Sequence, residues 1–175
     1  MNVGSFITSE KETYGIFSDG YAQSVTDEFI FEYNSLRDVL EKDSLSLMYE
    51  NALGTSKLKH SKIQFLPPLI NPTKIICVGM NYRKPYPIDG QSVSDPNNII
   101  LFGKNREAML AHLDFLESPV GDASNSFDYE GEIAVVIGKQ ARNISPANAH
   151  EYILSLIHIS EPTRPLYISY AVFCL

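Results

Sequence analysis

Short apolar runs open the chain and are cut at regular intervals by polar turns. Val3 to Ile7, Thr13 to Phe17 and Tyr21 to Val25 are separated at Ser9-Glu10-Lys11 and at Ser18-Asp19-Gly20. Runs of that length with turn residues between them predict a β-meander. The period then lengthens. Leu36, Val39 and Leu40 recur at helical spacing behind Ser35, a residue suited to the N-cap, with Asp38 three positions on as a weak capping box. A second helix is predicted over Ser46 to Leu53, stopping at Gly54. Lys62 to Leu66 predicts a strand that runs into Pro67-Pro68. Proline fixes its own φ and holds its predecessor extended, so the Pro-rich stretch 67–72 is the expected domain boundary. Residues 1–66 then make a small β-rich N-terminal domain.

Past the boundary the punctuation changes. The stretch from Arg83 to Asn98 is rich in proline and is expected to be irregular. Loops of this kind between strands often carry sites. Glu107 to Leu116 has a helical period, with Met109, Leu110, Leu113 and Leu116 on it. Ser145 before Pro146 suits an N-cap followed by the first helical position, which predicts a helix over Pro146 to Ile153.

Composition narrows the class. At 175 residues, 44% apolar and 20% charged, the chain reads as globular and long enough for one ordinary domain, or a small domain plus a fragment. A formal net charge of −7 and the lack of any Lys/Arg run argue against nucleic acid as a partner. Cys77 and Cys174 are the only cysteines, too few for a disulfide framework or a zinc pattern. Cys77 sits in an apolar run and reads as a buried thiol. A reducing, cytoplasmic setting is expected. Met1 to Ile7 has no basic, apolar leader, and no stretch approaches the ~18–20 apolar residues of a membrane helix. Asn143-Ile144-Ser145 matches a glycosylation acceptor, a triplet common by chance.

The candidate chemistry is concentrated in Phe127-Asp128-Tyr129-Glu130-Gly131-Glu132, which runs directly into Ile133-Ala134-Val135-Val136-Ile137-Gly138. In a strand, positions two apart share a face. Asp128, Glu130 and Glu132 are therefore neighbours on one side. Like charges so placed repel unless something positive lies among them. A hard divalent cation with oxygen ligands answers that need. A solvated edge strand with an acidic face answers it equally well.

Three blocks in order resemble the fumarylacetoacetate hydrolase family. Pro72-Thr73-Lys74-Ile75-Ile76-Cys77-Val78-Gly79-Met80-Asn81-Tyr82-Arg83 is similar to the start of its catalytic domain. Ile99-Ile100-Leu101-Phe102-Gly103-Lys104 is similar to its second block, and Asp128 to Gly138 to its D-x-E-x-E metal strand. The resemblance covers roughly residues 65–153. It implies an α+β, mainly β fold, and over Glu107 to Leu116 it implies extended structure leading to a strand in place of the helix the period suggests, since tertiary context overrides propensity. The small N-terminal β-rich domain would be followed, over 67–153, by the first part of a mixed β-sandwich or roll. It further implies a divalent-metal enzyme of catabolism acting on 2-oxo or 2,4-dioxo acids, often by C–C bond hydrolysis. Glu130 and Glu132 match the two metal-ligand glutamates, and Asp128 matches the acidic neighbour that precedes them. The implied cofactor is Mg²⁺ or Mn²⁺, with Ca²⁺ also compatible. The implied partner is a small oxo-acid substrate, with no nucleic acid and no membrane, and the full-length protein is expected to be a homodimer.

The pattern also departs from the family. Members carry a catalytic His and Glu in N-Y-x-x-H-x-x-E; here Pro85 and Ile88 occupy those two positions. The catalytic base is therefore unassigned, and Asp89 is better read as part of an Asp-Gly turn with Gly90. Without the water-activating pair, decarboxylation or isomerisation of a 2-oxo acid is open beside hydrolysis. A small-molecule-binding pseudoenzyme is open too. Tyr82, Arg83 and Lys104 are candidates for substrate contact, each weighed against a structural or solvated role. His60, His112 and His150 match no catalytic position of the family.

After Ile153 the family continues with a Gly-Tyr strand and an Asn-Asp pair whose Asp is the third metal carboxylate. This chain instead reads Leu154-Ser155-Leu156-Ile157-His158-Ile159-Ser160-Glu161-Pro162-Thr163-Arg164, and closes with Ile168-Ser169-Tyr170-Ala171-Val172-Phe173-Cys174-Leu175. Both runs resemble the translation of a sequencing-library adapter and its primer, with Pro165, Leu166 and Tyr167 where an index would be read. Residues 154–175 are therefore set aside from fold reasoning as an adapter-derived tail. They are expected to lack docked structure, and the natural protein is expected to be longer. Glu161 lies near the third ligand's place but belongs to the adapter-like run. Short of one carboxylate, the chain as written is expected to bind metal weakly and to be catalytically inert.

Overall fold

The three opening runs form strands β1 (Asn2–Ile7), β2 (Glu12–Ser18) and β3 (Tyr21–Ser24). A computed structural model describes residues 2–9, 11–79, 98–163 and 171–174, with positions 126, 128–131, 156–163 and 171–174 described by their backbone. β1 and β2 pair antiparallel from Asn2↔Phe17 to Ile7↔Glu12, and β2 turns into β3 through Asp19-Gly20, where Gly20 takes φ 76°. Two short strands, β4 (Leu58–Lys59) and β5 (Gln64–Phe65), complete an antiparallel sheet in the order β4-β3-β2-β1-β5. The strand predicted over Lys62 to Leu66 is thus two residues long, because a 3₁₀ turn occupies His60–Lys62.

Helix α1 (Asp27–Glu32) has no counterpart in the apolar pattern. It is organised by its start. The Thr26 hydroxyl accepts from Phe29 N at 3.3 Å, and Asp27 and Glu28 lie in the first turn, where the helix dipole favours acid. The Glu28 carboxyl is held below its ordinary range by its own backbone N–H and then by the Thr26 hydroxyl. Helix α2 (Leu36–Glu41) is capped as predicted, with Ser35 Oγ accepting from Asp38 N at 3.3 Å. Helix α3 (Leu45–Leu53) stops at Gly54, but not by a left-handed glycine, since Gly54 has φ −74°. Its open carbonyls are taken by a side chain from β3. Gln23 Nε2 donates to the carbonyls of Ala52, Leu53 and Thr55 at 3.2, 3.2 and 2.9 Å.

These helices cover one face of the sheet. Tyr14, Ile16 and Val25 pack with Phe29, Tyr33, Leu36, Val39, Met48 and Ala52 in one buried cluster. The Tyr14 hydroxyl is satisfied inside it, donating to Tyr33 O at 2.5 Å. Burial, then the charge of Asp38, then Tyr33 push its ionisation well above the ordinary tyrosine range. Phe6, Phe17, Phe65 and His60 form a second, aromatic cluster.

The chain divides into two compact units. The first is Met1–Pro72 together with Arg106–Phe115; the second is Thr73–Asn105 with Leu116–Leu175. The helical period over Glu107–Leu116 does not yield an α-helix. Only a 3₁₀ turn at Arg106–Ala108 forms, and Leu113 takes φ 71°. A segment held by contacts elsewhere overrides its propensity.

The second unit is built on β6 (Ile75–Gly79), β7 (Ile100–Lys104), β8 (Asp128–Ile137), β9 (Ile153–Thr163) and β10 (Ala171–Cys174). Their order is β7-β6-β10-β8-β9. All neighbours are antiparallel except β10 and β8. The helix predicted from Pro146 is a 3₁₀ helix, Pro146–Tyr152, with Ser145 at its N-cap. The fold is α+β and mainly β. Among the described residues no helix is long and apolar enough to cross a membrane.

Residues 154–163 and 171–174 differ from the expectation of an undocked tail. β9 pairs with β8 from Asp128↔Thr163 to Ile137↔Ile153, and β10 lies between β6 and β8. The physical reason is the edge. β8 offers a row of backbone donors and acceptors that any strand-forming segment can pair, and Leu154–Ile159 is rich in such residues. Gly138 permits the approach, because a Cβ there would lie 2.7 Å from Leu154 Cβ.

Candidate functional site

β8 changes character along its length. Its C-terminal half alternates in burial, with Ala134 and Val136 inside and Ile133 47% exposed. Glu132 continues the inward series and is only 1% exposed. Asp128 and Glu130 fall at the preceding even positions of the same strand. The pattern that places two apolar residues in the interior thus carries a carboxylate in with them. Burying a carboxylate is costly unless its surroundings compensate the charge, which makes Glu132 the candidate functional residue of β8.

Register fixes what surrounds it. Val172 of β10 faces Cys77 on one side and Ala134 on the other, and Cys77 faces Phe102. Two residues further along each strand, Glu132 comes level with Gly79 and its partner Ile100. Gly79 ends β6. Tyr82 and Arg83 themselves lie outside the described residues, as do Pro85, Ile88 and Asp89. Asp128 and Glu130 extend beyond that level, past the end of the β6–β7 hairpin.

Lys104 stands at the other end. It pairs with Ile75, which is level with Cys174 and Val136. Three strand spacings and four residues separate Lys104 from Glu132, roughly 20 Å measured along the sheet. The register therefore brings Glu130 and Glu132 together on one strand and leaves Lys104 apart. Opposite Glu130 the register places Glu161, and opposite Glu132 it places Ile159. His112, unassigned in the sequence, lies in the first unit with its ring 4.9 Å from that of Phe65.

Donor chemistry tests the fit to a divalent cation. Glu130 and Glu132 supply hard oxygen ligands two apart on one strand, the type that Mg²⁺ and Mn²⁺ take. The set is carboxylate only; among the described residues no group of three His, Cys, Asp or Glu stands where it could hold a metal.

Comparison with known proteins bears on the same strand. Residues 74–164 match the family described as fumarylacetoacetate (FAA) hydrolase C-terminal, a span that takes in β6 to β9. The chain is 35% identical over 119 residues to a mitochondrial oxaloacetate tautomerase, fahd2, of Xenopus laevis, covering 61% of this chain and 35% of that protein. It is 28% identical over 138 residues to the oxaloacetate tautomerase YisK of Bacillus subtilis, covering 78% of this chain and 44% of that one. A protein of Archaeoglobus fulgidus, named uncharacterized, is 39% identical over 101 residues, covering 58% and 38%. The chain spans less than half the length of these relatives. With the acidic strand, the sheet that carries it and the family match in agreement over 74–164, this chain belongs to the fumarylacetoacetate hydrolase family.

Proposed function

We propose that this chain carries part of the active site of a divalent-metal-dependent enzyme that interconverts the keto and enol forms of a 2-oxo acid, with Glu130 and Glu132 as metal ligands. The observation that carries the reading is Glu132, a carboxylate 1% exposed on the inward face of β8. Glu130 and Glu132 would hold Mg²⁺ or Mn²⁺, and Asp128 would support them from the same strand. A cation held there supplies positive charge that favours the enolic form of a 2-oxo acid. The buried apolar positions beside Glu132, Ala134 and Val136, exclude water and so strengthen that electrostatic effect.

Two further points support isomerisation over C–C bond hydrolysis. Hydrolysis needs an activated water, and the positions of the family's His–Glu pair hold Pro85 and Ile88. Tautomerisation needs only proton transfer at carbon and oxygen. The relatives named oxaloacetate tautomerase make a four-carbon 2-oxo dicarboxylate the first substrate to try. The third carboxylate of the family's metal site has no counterpart of natural pattern here, so the chain as it stands is expected to hold metal weakly.

The test uses the protein completed with the remainder of the family domain. Enol–keto interconversion of oxaloacetate is followed by the ultraviolet absorbance of the enol, with Mn²⁺ affinity measured by calorimetry. Glu130→Ala and Glu132→Ala should each abolish both metal binding and turnover while leaving the circular dichroism spectrum intact. Full activity in excess chelator, or in Glu130→Ala, would refute the metal assignment. Turnover of an acylpyruvate by C–C cleavage, with none on oxaloacetate, would refute the isomerase reading alone.

A further inference from the structure

Arg106–Phe115 lies in sequence between β7 and β8, both in the second unit, yet it belongs to the first. The chain therefore passes between units at Pro72/Thr73, at Asn105/Arg106 and at Phe115/Leu116. What holds the segment is visible. The His112 ring meets the Phe65 ring edge-on, at 4.9 Å and 87°. Phe65 in turn stacks on Phe17 and touches His60, so His112 is the outer ring of the aromatic cluster on this unit.

The turn that presents His112 is unusual in its residues. Asp114 N donates to Ala111 O at 3.2 Å, and Ala111 N donates to Asp114 Oδ2 at 3.0 Å. This closes a four-residue turn with Leu113 at its third position, at φ 71°. A turn of that shape calls for glycine or asparagine there. A leucine is strained, and such strain persists only where surrounding contacts over-determine it. Leu113 is itself 76% exposed, so its own packing does not explain the conformation. The contacts beside it are made by its neighbours, both exposed: the His112 ring on Phe65, and the Asp114 carboxylate accepting from Ala111 N.

We propose that residues 106–115 are a strained clamp. The first unit, through Phe65, grips His112 and so holds residues 106–115 in one conformation within that unit. The His112–Phe65 contact is the latch, and the Leu113 turn is the part under tension. The inference stands apart from the proposed metal and reaction.

Trypsin reads the clamp directly, because the segment begins with Arg106. The whole chain is digested under native conditions, and cleavage after Arg106 is compared with cleavage after Lys42, an exposed site elsewhere in the first unit. His112→Ala should speed cleavage after Arg106 by about tenfold and leave Lys42 unchanged, since freeing a held turn raises its open population by that order. Leu113→Gly, which removes the strain and keeps the latch, should slow cleavage after Arg106 about threefold. In wild type the His112 ring protons should be displaced from random-coil positions by the Phe65 ring current and should return to them in Phe65→Leu. The clamp is refuted if His112→Ala cleaves after Arg106 at the wild-type rate, if Leu113→Gly cleaves faster than wild type, or if the His112 ring shifts do not respond to Phe65→Leu. Equal acceleration at both sites would also count against it, since that is general loosening of the unit.

Discussion

Gln23→Leu should destabilise the first unit by about 2–3 kcal/mol. Gln23 is 5% exposed and lies on β3, and its Nε2 donates to three carbonyls at the end of α3. An amide nitrogen has two hydrogens, so the three acceptors share them. Ala52 O is also served by the Thr55 hydroxyl at 2.8 Å and the Thr55 amide at 3.1 Å. Removing Gln23 therefore costs chiefly the bonds to Leu53 O and Thr55 O. Two carbonyls left without that donor, at roughly 1–1.5 kcal/mol each, give the total. Leucine adds apolar area of similar volume, which recovers a fraction of it. Gln23→Glu is the sharper probe. It sets a carboxylate oxygen where the nitrogen stood, facing three carbonyl oxygens, and should cost more than Gln23→Leu at pH 7. On acidification toward the carboxylate range that excess should shrink, because a protonated Glu regains one donor. The assay is urea unfolding followed by tyrosine fluorescence, the chain having no tryptophan. A Gln23→Leu loss below about 0.5 kcal/mol, or a Gln23→Glu protein as stable as wild type, would refute the claim that this side chain closes the helix.

Other outcomes follow from the same structure. The Tyr14 phenol is held protonated by burial and by Asp38, so its ionisation lies higher in the folded than in the unfolded chain. The stability it contributes is complete below the unfolded value of about 10 and falls as pH rises beyond it. Tyr14→Phe should flatten that alkaline slope in a pH series of denaturant melts, and cost about 1 kcal/mol for the bond to Tyr33 O. Gly15→Ala should unfold the first unit, since a Cβ there would collide with Gln23 O, and circular dichroism of the purified variant would show it. Gly138→Ala should expel β9 from its place beside β8, through collision with Leu154, and Leu154→Ala should restore it. Unchanged hydrogen exchange over Ile153–Thr163 in Gly138→Ala would mean that β9 is not paired there.

What was legible in the sequence was local. The meander showed in its turn residues, and the Ser35 cap in the spacing behind it. The inward face of β8 showed in the alternation that carries Glu132 with Ala134 and Val136. Helix α1 was not legible, because Phe29, Ile30 and Phe31 stand consecutively and give no period over only six residues. Its signal was the cap, Thr26 followed by Asp27 and Glu28. Over Glu107–Leu116 the period is helical, yet no α-helix forms, in line with the non-helical course that the family resemblance implied; residues up to Phe115 are held against another part of the first unit. The position of Lys104 relative to Glu132 depends on the strand order β7-β6-β10-β8 and on three registers. Those are non-local pairings that no stretch of sequence encodes by itself. The docking of 154–163 was missed because an open strand edge accepts partners on backbone grounds, whatever their origin.

The discontinuity of the first unit has a consequence for the chain as it is made. Synthesis runs from the N-terminus, and domains tend to fold as they emerge. The helical face of this unit can close once Ala52 has emerged, since Tyr14, Val25, Phe29, Val39 and Met48 all precede it. The aromatic face cannot. His112 arrives some forty residues after Pro72, with β6 and β7 made in between. For that interval Phe17 and Phe65 present rings to the surroundings with no cover from the segment that later meets them. Contacts so separated in sequence form slowly, and exposed aromatic surface in a waiting intermediate is what chaperones bind and what aggregates share. The order in which the ribosome delivers the parts, more than the stability of the finished fold, would then set how much of this protein a cell recovers in soluble form.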